Sequence, residues 1–340
     1  MKCEMCDAEF EGSNEPLCPN CRDKVQAVKV ESGSFLAKSP QFGEQNKTST
    51  AIEPPSLSAQ ELWRIEPSDS CDLNYPICAA ATPTGKIFIL DQPDDFRILR
   101  FDGQGKYLGL LATIPMGTED GELDDPQRMC VDVQGNIYFV DAGADRISIW
   151  SSDGTFLKSL CSSGSVPGEL AHPLDVDVDE DGFLYVADAF NHRIQKLSPE
   201  GMGCLELSEA GQWGKLDSPF ALALDRKQGL YVLDQENKKV FRFNGDGDPL
   251  PCWPESSVKQ DWFDRPTDIL VMEDGSVYVS DEGTERLLCL GPDGSIVGKV
   301  TLPQDAEATL NGITIQALGQ MLLILDNMND RLYCLAAPKA

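Results

Sequence analysis

Residues 173–197 read PLDVDVDEDGFLYVADAFNHRIQKL, and this stretch decides the fold of the chain. The alternation of apolar and acidic residues over 173–179 has period 2, which predicts a β-strand with one apolar face. Asp181-Gly182 is a typical hairpin turn. A second strand, rich in β-branched and aromatic residues, ends at Asp188, and a third begins at Arg193. The stretch therefore predicts three consecutive antiparallel strands.

The same pattern recurs six times between residues 76 and 335. In each copy the second strand ends in an aspartate, and these are Asp91, Asp141, Asp188, Asp234, Asp281 and Asp326. Their spacings of 50, 47, 46, 47 and 45 residues leave room for four short strands per copy, which is the period of a β-propeller blade. The sequence therefore predicts an all-β protein with six blades.

Further shared positions fit a ring of blades. Five copies open with proline and the sixth has asparagine in the matching place: Pro76, Pro126, Pro173, Pro219, Pro266 and Asn311. Three residues before four of these prolines stand large apolar residues, Leu123, Leu170, Leu216 and Phe263. We expect these four side chains to fill the seams between neighbouring blades.

The sixth copy ends near Ala336, after its third strand. Residues 61–65, ahead of the first copy, have a strand-like sequence. We expect them to supply the missing fourth strand and to close the ring, because an open ring would expose two unpaired sheet edges.

The third copy resembles the NHL repeat family, since YVADAFNHRIQKL at 185–197 is close to that family's Asn-His-Leu-like signature. Other copies drift from it, as in YFVDAGADRISIW at 138–150 and YVSDEGTERLLCL at 278–290. The resemblance covers about four-fifths of the chain and implies an NHL-type six-bladed propeller. It is specific for the fold and says little about chemistry.

A basic residue follows each strand-end aspartate, five residues later in five copies and six in the first: Arg97, Arg146, Arg193, Lys239, Arg286 and Arg331. A feature present in every blade serves a need that every blade shares. We therefore expect these pairs to satisfy turn amides or to form ion pairs, and not to catalyse a reaction.

The chain carries 28 Lys and Arg against 56 Asp and Glu, a formal net charge of −28. This charge repels phosphate backbones and anionic lipid surfaces. Some proteins that join zinc modules to NHL propellers bind RNA through a basic face, but the acidity here argues against nucleic-acid binding. Neither a signal peptide nor an apolar stretch of about 18 residues is present, so we expect a cytoplasmic protein without a membrane anchor.

Cys3, Cys6, Cys18 and Cys21 form two Cys-x-x-Cys pairs with eleven residues between them. Four thiolates at this spacing are typical of a tetrahedral structural Zn²⁺ site. We expect residues 1–24 to form a zinc knuckle that resembles a zinc ribbon, with the metal supplying on the order of 10 kcal/mol of folding free energy. Bound iron, a redox dithiol and the absence of a metal are the alternatives.

Residues 25–56 are polar and predict a flexible linker, which leaves 57–340 for the propeller. The eight remaining cysteines are dispersed through strand-like runs: Cys71, Cys78, Cys130, Cys161, Cys204, Cys252, Cys289 and Cys334. We expect them to pack in the core as small hydrophobic residues.

Catalytic candidates are few. Some six-bladed relatives of NHL propellers are lyases with several histidines around a zinc ion, or calcium-dependent lactonases. His172 and His192 are the chain's two histidines; they lie in one copy and do not suffice for a three-histidine centre. We expect a structural role for His192 and a loop position at one end of the ring for His172. A calcium site would need carboxylates from several blades, and five lie near the blade-start loops: Asp124, Asp125, Asp217, Asp264 and Asp268.

Two aromatic segments follow the fourth blade, Cys252-Trp253-Pro254 and Asp261-Trp262-Phe263. Exposed aromatic side chains there would anchor a partner. The alternative is that they cap the edge of the blade.

These features favour a non-enzymatic scaffold that binds a protein partner through a propeller face, with the zinc knuckle as a second docking element. The alternative function is a metal-dependent hydrolase or lyase, with calcium as the metal and a site in the central channel. We expect the propeller to be monomeric within a larger assembly.

Overall fold

The computed structural model describes residues 54–68, 71–225, 229–254, 262–302 and 313–338. These residues belong to one compact unit, Ala51–Ala340, built almost entirely of β-strands with two short 3-10 helices. Within the described ranges, no helix is long and apolar enough to cross a membrane. The four knuckle cysteines and most of the predicted linker lie outside the described residues.

The strands follow the predicted repeats. Two short strands come first, β1 (Ser56–Ser58) and β2 (Gln60–Ile65). Blade one has β3 (Pro76–Ala81), β4 (Ile87–Asp91), β5 (Phe96–Phe101) and β6 (Tyr107–Ile114). Blade two has β7 (Pro126–Val131), β8 (Ile137–Asp141), β9 (Arg146–Trp150) and β10 (Phe156–Leu160). Blade three has β11 (Pro173–Val178), β12 (Leu184–Asp188), β13 (Arg193–Leu197) and β14 (Gly203–Leu207).

The second half repeats this arrangement. Blade four has β15 (Pro219–Leu224), β16 (Leu230–Asp234), β17 (Lys239–Phe243) and β18 (Pro249–Trp253). Blade five has β19 (Pro266–Val271), β20 (Val277–Asp281), β21 (Arg286–Leu290) and β22 (Ile296–Thr301). Blade six has β23 (Ile313–Leu318), β24 (Met321–Asp326) and β25 (Arg331–Ala336).

Each blade is an antiparallel sheet whose first strand is the innermost. The inner strands of consecutive blades pack side by side, and β23 of blade six packs beside β3 of blade one. The ring of six blades is therefore closed, and the predicted all-β six-bladed propeller is confirmed. We call the end of the ring where the inner strands begin the strand-start face.

Strand β2 closes the ring as predicted. It pairs antiparallel with β25, from Gln60 opposite Ala336 to Ile65 opposite Leu332, and so becomes the fourth strand of blade six. Its Trp63 packs on Gly105 of blade one, where a Cβ atom would lie only 2.6 Å from the indole ring. A glycine with a φ of +77° at position 105 therefore lets blade six pack against blade one.

Strand β1 was not predicted. It lies parallel to β22, with Leu57 opposite Val300, and adds a fifth strand to blade five. The amide of Lys299 donates to the carbonyl of Pro55 over 2.8 Å. The predicted linker ended at residue 56, whereas regular structure already begins at Ser56.

The predicted seam residues are buried. Leu123, Leu170, Leu216 and Phe263 are at most 4% exposed. Leu123, for example, lies in a core cluster that joins Phe88 of blade one to Phe139 of blade two. Blade six differs from the others at its opening, because Ile313 pairs with Asp326 without the bulge that follows the opening proline elsewhere. Asn311, predicted to open this blade, lies outside the described residues.

Candidate functional site

The aspartate and base pairs hold the connections between blades. In blade two, the buried Asp141 accepts the amides of Asp124 (3.1 Å) and Asp125 (2.9 Å) and the Nε of Arg146 (3.1 Å). Arg146 also donates to the carbonyl of Glu122 over 2.8 Å. Both ends of the pair thus bind the loop that arrives from blade one.

Blade three repeats this arrangement. Asp188 accepts the amide of Ala171 (2.7 Å) and the Nε of Arg193 (2.8 Å), and Arg193 donates to the carbonyl of Glu169 (3.0 Å). In blades four and five, Asp234 and Asp281 accept the amides of the residues just before the opening proline. The expected role in satisfying turn amides is confirmed for blades two to five, and the ion pair with the following base for blades two and three.

His192 and His172 lie on the strand-start face, both with a left-handed backbone. The ring of His192 contacts the carbonyl oxygen of Asp217 at the next blade. The ring of His172 stacks against Phe190, with 4.5 Å between ring centres, and its amide donates to Asp145 over 2.6 Å. The two histidine rings therefore make different contacts and do not converge on one point.

The middle of the channel is crossed by Arg128 of β7. Its guanidinium donates to the Thr314 hydroxyl (2.6 Å) and to the Thr267 carbonyl (2.8 Å), and it lies 3.5 Å from the Asp268 carboxylate. The first of these partners belongs to blade six and the other two to blade five. One side chain from blade two therefore links three inner strands across the axis of the ring.

Three aspartates of the inner strands bind free backbone amides on the neighbouring blade. Asp175 accepts the amide of Leu222 (2.8 Å), Asp177 that of Leu224 (3.1 Å) and Asp268 that of Ile315 (2.7 Å). Each of these amides lies on the inner edge of a strand, where no further strand pairs. The first two bonds join blade three to blade four, and the third joins blade five to blade six.

Burial changes the acidity of these carboxyls. Burial raises the pKa of Asp175 to about 8, and the nearby Arg128 opposes that rise. Burial likewise raises the pKa of Asp177 to about 6 and raises that of Asp268, where Arg128 again acts in the opposite direction. With a pKa of about 8, the Asp175 carboxyl is protonated at neutral pH, beside the Arg128 guanidinium.

Two cavities lie along the channel. One, of about 80 Å³, lies around Arg128, Asp175 and Asp268. The other, of about 270 Å³, opens at the face opposite the strand-start face and is lined by Asp177, Asp179, Glu180, Asp181 and Asp225 together with Tyr185. The channel is thus constricted at its centre and acidic at one mouth.

The five aspartates considered for calcium do not converge. Asp124, Asp125, Asp217 and Asp264 lie in loops of the strand-start face, whereas Asp268 lies inside strand β19 and faces the channel. Asp268 lies near the blade-start loop, as expected, but as the third residue of that inner strand it faces the channel. Within the described ranges, no group of three or more His, Cys, Asp or Glu side chains could hold a metal ion.

Arg128, Asp175 and Asp177 were not among the site residues predicted from the sequence. The signal was present, since Arg128 and Asp175 occupy the inner-strand position that Cys78 and Ala221 hold in other blades. Asp177 likewise occupies the position of Ala80 and Ala223. A charge at the centre of a buried strand requires a partner, but the partners come from blades far away in the sequence.

The strand-start face carries five large apolar side chains that are more than half exposed, and we call them the apolar arc: Tyr75 (58%), Met116 (54%), Val166 (56%), Phe190 (63%) and Met328 (61%). Four of them stand in loops, and Phe190 lies in the short 3-10 helix Ala189–Asn191. All five belong to blades six, one, two and three or to the connections between these blades. These residues could not be predicted from the sequence, because residues outside strands carry no periodic pattern.

Hydrogen bonds connect the first part of the apolar arc. Asp330, two residues after Met328, accepts the amide of Tyr75 over 2.9 Å. The amide of Gln92 donates to the Tyr75 carbonyl (3.1 Å), and its side chain contacts the sulfur of Met116 (3.5 Å). The arc therefore continues from blade six to the loop between blades one and two.

The other half of the strand-start face is different. Blades four and five present exposed ion pairs there, Lys238 with Asp264 (2.6 Å) and Arg265 with Glu282 (3.0 Å). The face thus has an apolar side and an ion-paired side, although the blades repeat one sequence pattern.

The aromatic residues predicted to follow blade four pack on the blade, and Trp253 is the last residue of its outer strand β18. Trp253 is 4% exposed, and the guanidinium of Arg242 stacks on it at 4.3 Å. Trp262 packs at an edge-on angle against Phe263 within the same core cluster. The aromatic residues that are accessible lie instead at Tyr75 and Phe190.

The eight cysteines of the propeller are free thiols. Five are buried, as the core interpretation predicts, whereas Cys204 on β14 is exposed. Burial raises the pKa of Cys78 to about 12, which keeps this channel-side thiol protonated and unreactive.

Comparisons with known proteins support the fold. Residues 170–197 match the NHL repeat, and no curated protein matches the chain. Virginiamycin B lyase from Staphylococcus aureus is similar in structure, with 13% identity, a TM-score of 0.54, and coverage of 81% of this chain and 98% of the lyase. A gluconolactonase from Xanthomonas campestris has 19% identity, a TM-score of 0.55, and coverage of 82% and 86%.

A chain of the nidogen/laminin complex is also similar, with 18% identity, a TM-score of 0.51, and coverage of 68% of this chain and 81% of that one. At such identities the likeness concerns the fold alone. Together with the strand order, these matches identify the chain as a six-bladed β-propeller whose third blade carries an NHL repeat.

Proposed function

We propose that this protein is a non-enzymatic interaction scaffold whose strand-start face binds a protein partner. The observation that supports the proposal is the apolar arc, five exposed apolar side chains on one side of a rigid ring. Exposed apolar groups of this kind are typical of protein-binding surfaces, where aromatic and methionine side chains are enriched.

The charge around the arc indicates the chemistry of the partner. Glu119 and Asp120 follow Met116 closely, and Asp330 follows Met328. The chain as a whole carries a net charge of −28. A partner that presents apolar side chains among basic residues would match this surface, and its association rate would fall as salt increases.

The zinc knuckle is part of the same proposal. Cys3, Cys6, Cys18 and Cys21 would hold a structural Zn²⁺, and the knuckle would dock on the same assembly or on a second protein. Free thiols throughout the propeller favour a reducing compartment such as the cytoplasm.

The channel supports the alternative function less well. A metal-dependent hydrolase or lyase would need carboxylates that are free to bind an ion. Asp175, Asp177 and Asp268 instead accept backbone amides, and the acidic mouth near Asp225 is the feature in favour of a cation. We therefore place binding at the arc ahead of chemistry in the channel.

A comparative pulldown tests the proposal. The wild-type chain, a Phe190→Ser/Met328→Ser variant of the arc and a Val133→Ser/Met202→Ser control would be used as baits in native lysate. Val133 and Met202 are 60% and 65% exposed and lie in turns of the opposite face. We expect a partner that the control retains and the arc variant loses. Equal recovery on all three baits would rule out the arc as the binding surface.

A further inference from the structure

The outer edges of the blades differ in how they are protected. Within the described residues, the outer strand of five blades has no strand paired to its outward edge, whereas β1 pairs there in blade five. Such an edge is a template for another strand, and proteins usually block it with charges, prolines, bulges or a covering segment. Every outer strand of the propeller has a bulge, so the bulges do not distinguish one edge from another.

Five of the six edges have an additional protection. The outer strands and their protecting features are β10 with Lys158, β14 with Glu206, β18 with Pro249 and Pro251, β2 with Glu61 and Arg64, and β22 with the covering strand β1. Charges and prolines at these positions oppose pairing with a further strand.

Strand β6 has none of these features. At eight residues it is the longest strand of the described chain, and its sequence YLGLLATI contains neither a charge nor a proline. Leu108 and Leu110 stand two residues apart on it and are each 48% exposed. Long apolar edge strands without protection are the ones that associate.

The chain itself shows that its blades accept an additional strand. Strand β1 lies along the outer edge of β22, and Leu57 packs into the core of blades five and six. An outer edge of this propeller is therefore able to extend its sheet by one strand.

The balanced charge of blade one favours a second copy of the chain as the occupant of the β6 edge. Residues 76–114, which form blade one, contain four acidic and four basic residues, in a chain whose net charge is −28. Two copies that meet at blade one therefore avoid the repulsion that most of the acidic surface would cause. A strand that pairs antiparallel with its own copy needs no other partner and gives a two-fold symmetric interface.

We infer that two copies of this chain associate through β6, whose edges pair antiparallel to join two blades into one continuous sheet. Leu108 and Leu110 of one copy meet the same residues of the other on one face of that sheet, as cross-strand apolar pairs. This inference goes beyond the proposed function, because the edge of blade one is separate from the apolar arc. It also replaces the expectation of a monomeric propeller.

Light scattering during size-exclusion chromatography tests the inference on the full chain. The wild type should shift from 37.2 kDa towards twice that mass as concentration rises, while Leu108→Lys/Leu110→Lys stays at one chain mass. Leu157→Lys on β10, where Leu157 is 50% exposed, is the matched control and should dimerise like the wild type. Unfolding curves of the variants confirm that each remains folded.

Two results would overturn the inference. One is a wild type that stays at one chain mass up to about 1 mM, where an association free energy of only about −4 kcal/mol already gives a measurable dimer. The other is a dimer that persists in Leu108→Lys/Leu110→Lys. A dimer lost in Phe190→Ser/Met328→Ser instead would place self-association on the apolar arc and contradict the role of β6.

Discussion

Arg128 of blade two and Asp268 of blade five face each other across the centre of the ring, with 3.5 Å between guanidinium nitrogen and carboxylate oxygen. Their side chains are 13% and 5% exposed. A propeller usually depends on contacts between neighbouring blades. This pair adds a contact between blades that are not neighbours, and the channel is closed to passage at that level.

Removing the guanidinium should destabilise the ring strongly. In Arg128→Met, Asp268 loses its ion-pair partner and Asp175 its nearby cation, so we expect a loss of about 3–5 kcal/mol in the free energy of unfolding. Urea denaturation measures this loss. Adding Asp268→Asn to the same chain should restore part of it, because the uncompensated buried charge is then removed.

A surface ion pair supplies the control for that experiment. Arg265 lies 3.0 Å from Glu282 with 56% of its side chain exposed, so Arg265→Met should change stability by no more than about 1 kcal/mol. If Arg128→Met also costs less than about 1 kcal/mol, the link across the channel contributes little to the fold.

The raised pKa of Asp175 predicts a pH dependence with a definite sign. Its carboxyl has a pKa of about 8 in the folded protein and about 3.9 in an unfolded chain. Between these values the folded state holds a proton that the unfolded state has released. The stabilisation that the protonated Asp175 carboxyl gives the folded state is therefore complete below pH 4. It decreases as the pH rises and is lost above about pH 8.

Asp175→Asn isolates this contribution, because asparagine does not titrate. The wild-type free energy of unfolding, measured relative to that of the variant, should fall by up to about 1.4 kcal/mol per pH unit between pH 5 and pH 8. Urea titrations at four pH values would show it. Parallel pH profiles for the two chains would mean that Asp175 is ionised in the folded ring.

Most of the fold could be predicted from the sequence repeat. The spacing of the strand-end aspartates predicted the blades, and Leu123 and Leu170 could be placed in seams because their distance from the opening proline is constant. The closing strand β2 was predictable as the one missing strand in the count. Strand β1 was not, since Ser56–Ser58 is too short and too polar to show a pattern.

The channel and the apolar arc are formed by residues that are far apart in sequence and come together when the ring closes. Arg128 and Thr314 are 186 positions apart in sequence, and no local pattern connects them. The accessibility of Phe190 depends likewise on how its loop leaves blade three. Local patterns determine which residues form strands, whereas the closure of the ring determines which loop residues share a surface.

Ring closure by β2 gives a third prediction. Trp63 packs against the turn at Gly105 of blade one, so Trp63→Ala should remove apolar contacts between blades six and one and cost about 2 kcal/mol. Leu62→Ala on the same strand is the control, because Leu62 is 44% exposed and its truncation should cost no more than about 0.5 kcal/mol. Thermal unfolding by circular dichroism measures both. Equal melting temperatures for the two variants would contradict a packing role for Trp63 in closing the ring.

Metal content gives the last prediction. Because Cys3, Cys6, Cys18 and Cys21 have the spacing of a structural zinc site, the purified full chain should contain about one equivalent of zinc. Cys3→Ser/Cys6→Ser should lose it, whereas Cys204→Ser, which changes the exposed thiol on β14, should retain it. Elemental analysis finding less than about half an equivalent of zinc in the wild type would refute the zinc knuckle, and iron in its place would favour the bound-iron alternative. Calcium tests the alternative function. A scaffold that holds no metal in the channel should have the same propeller melting temperature with calcium and with EDTA. A higher melting temperature in calcium, abolished by Asp177→Asn/Asp225→Asn at the acidic mouth, would instead favour the metal-dependent enzyme.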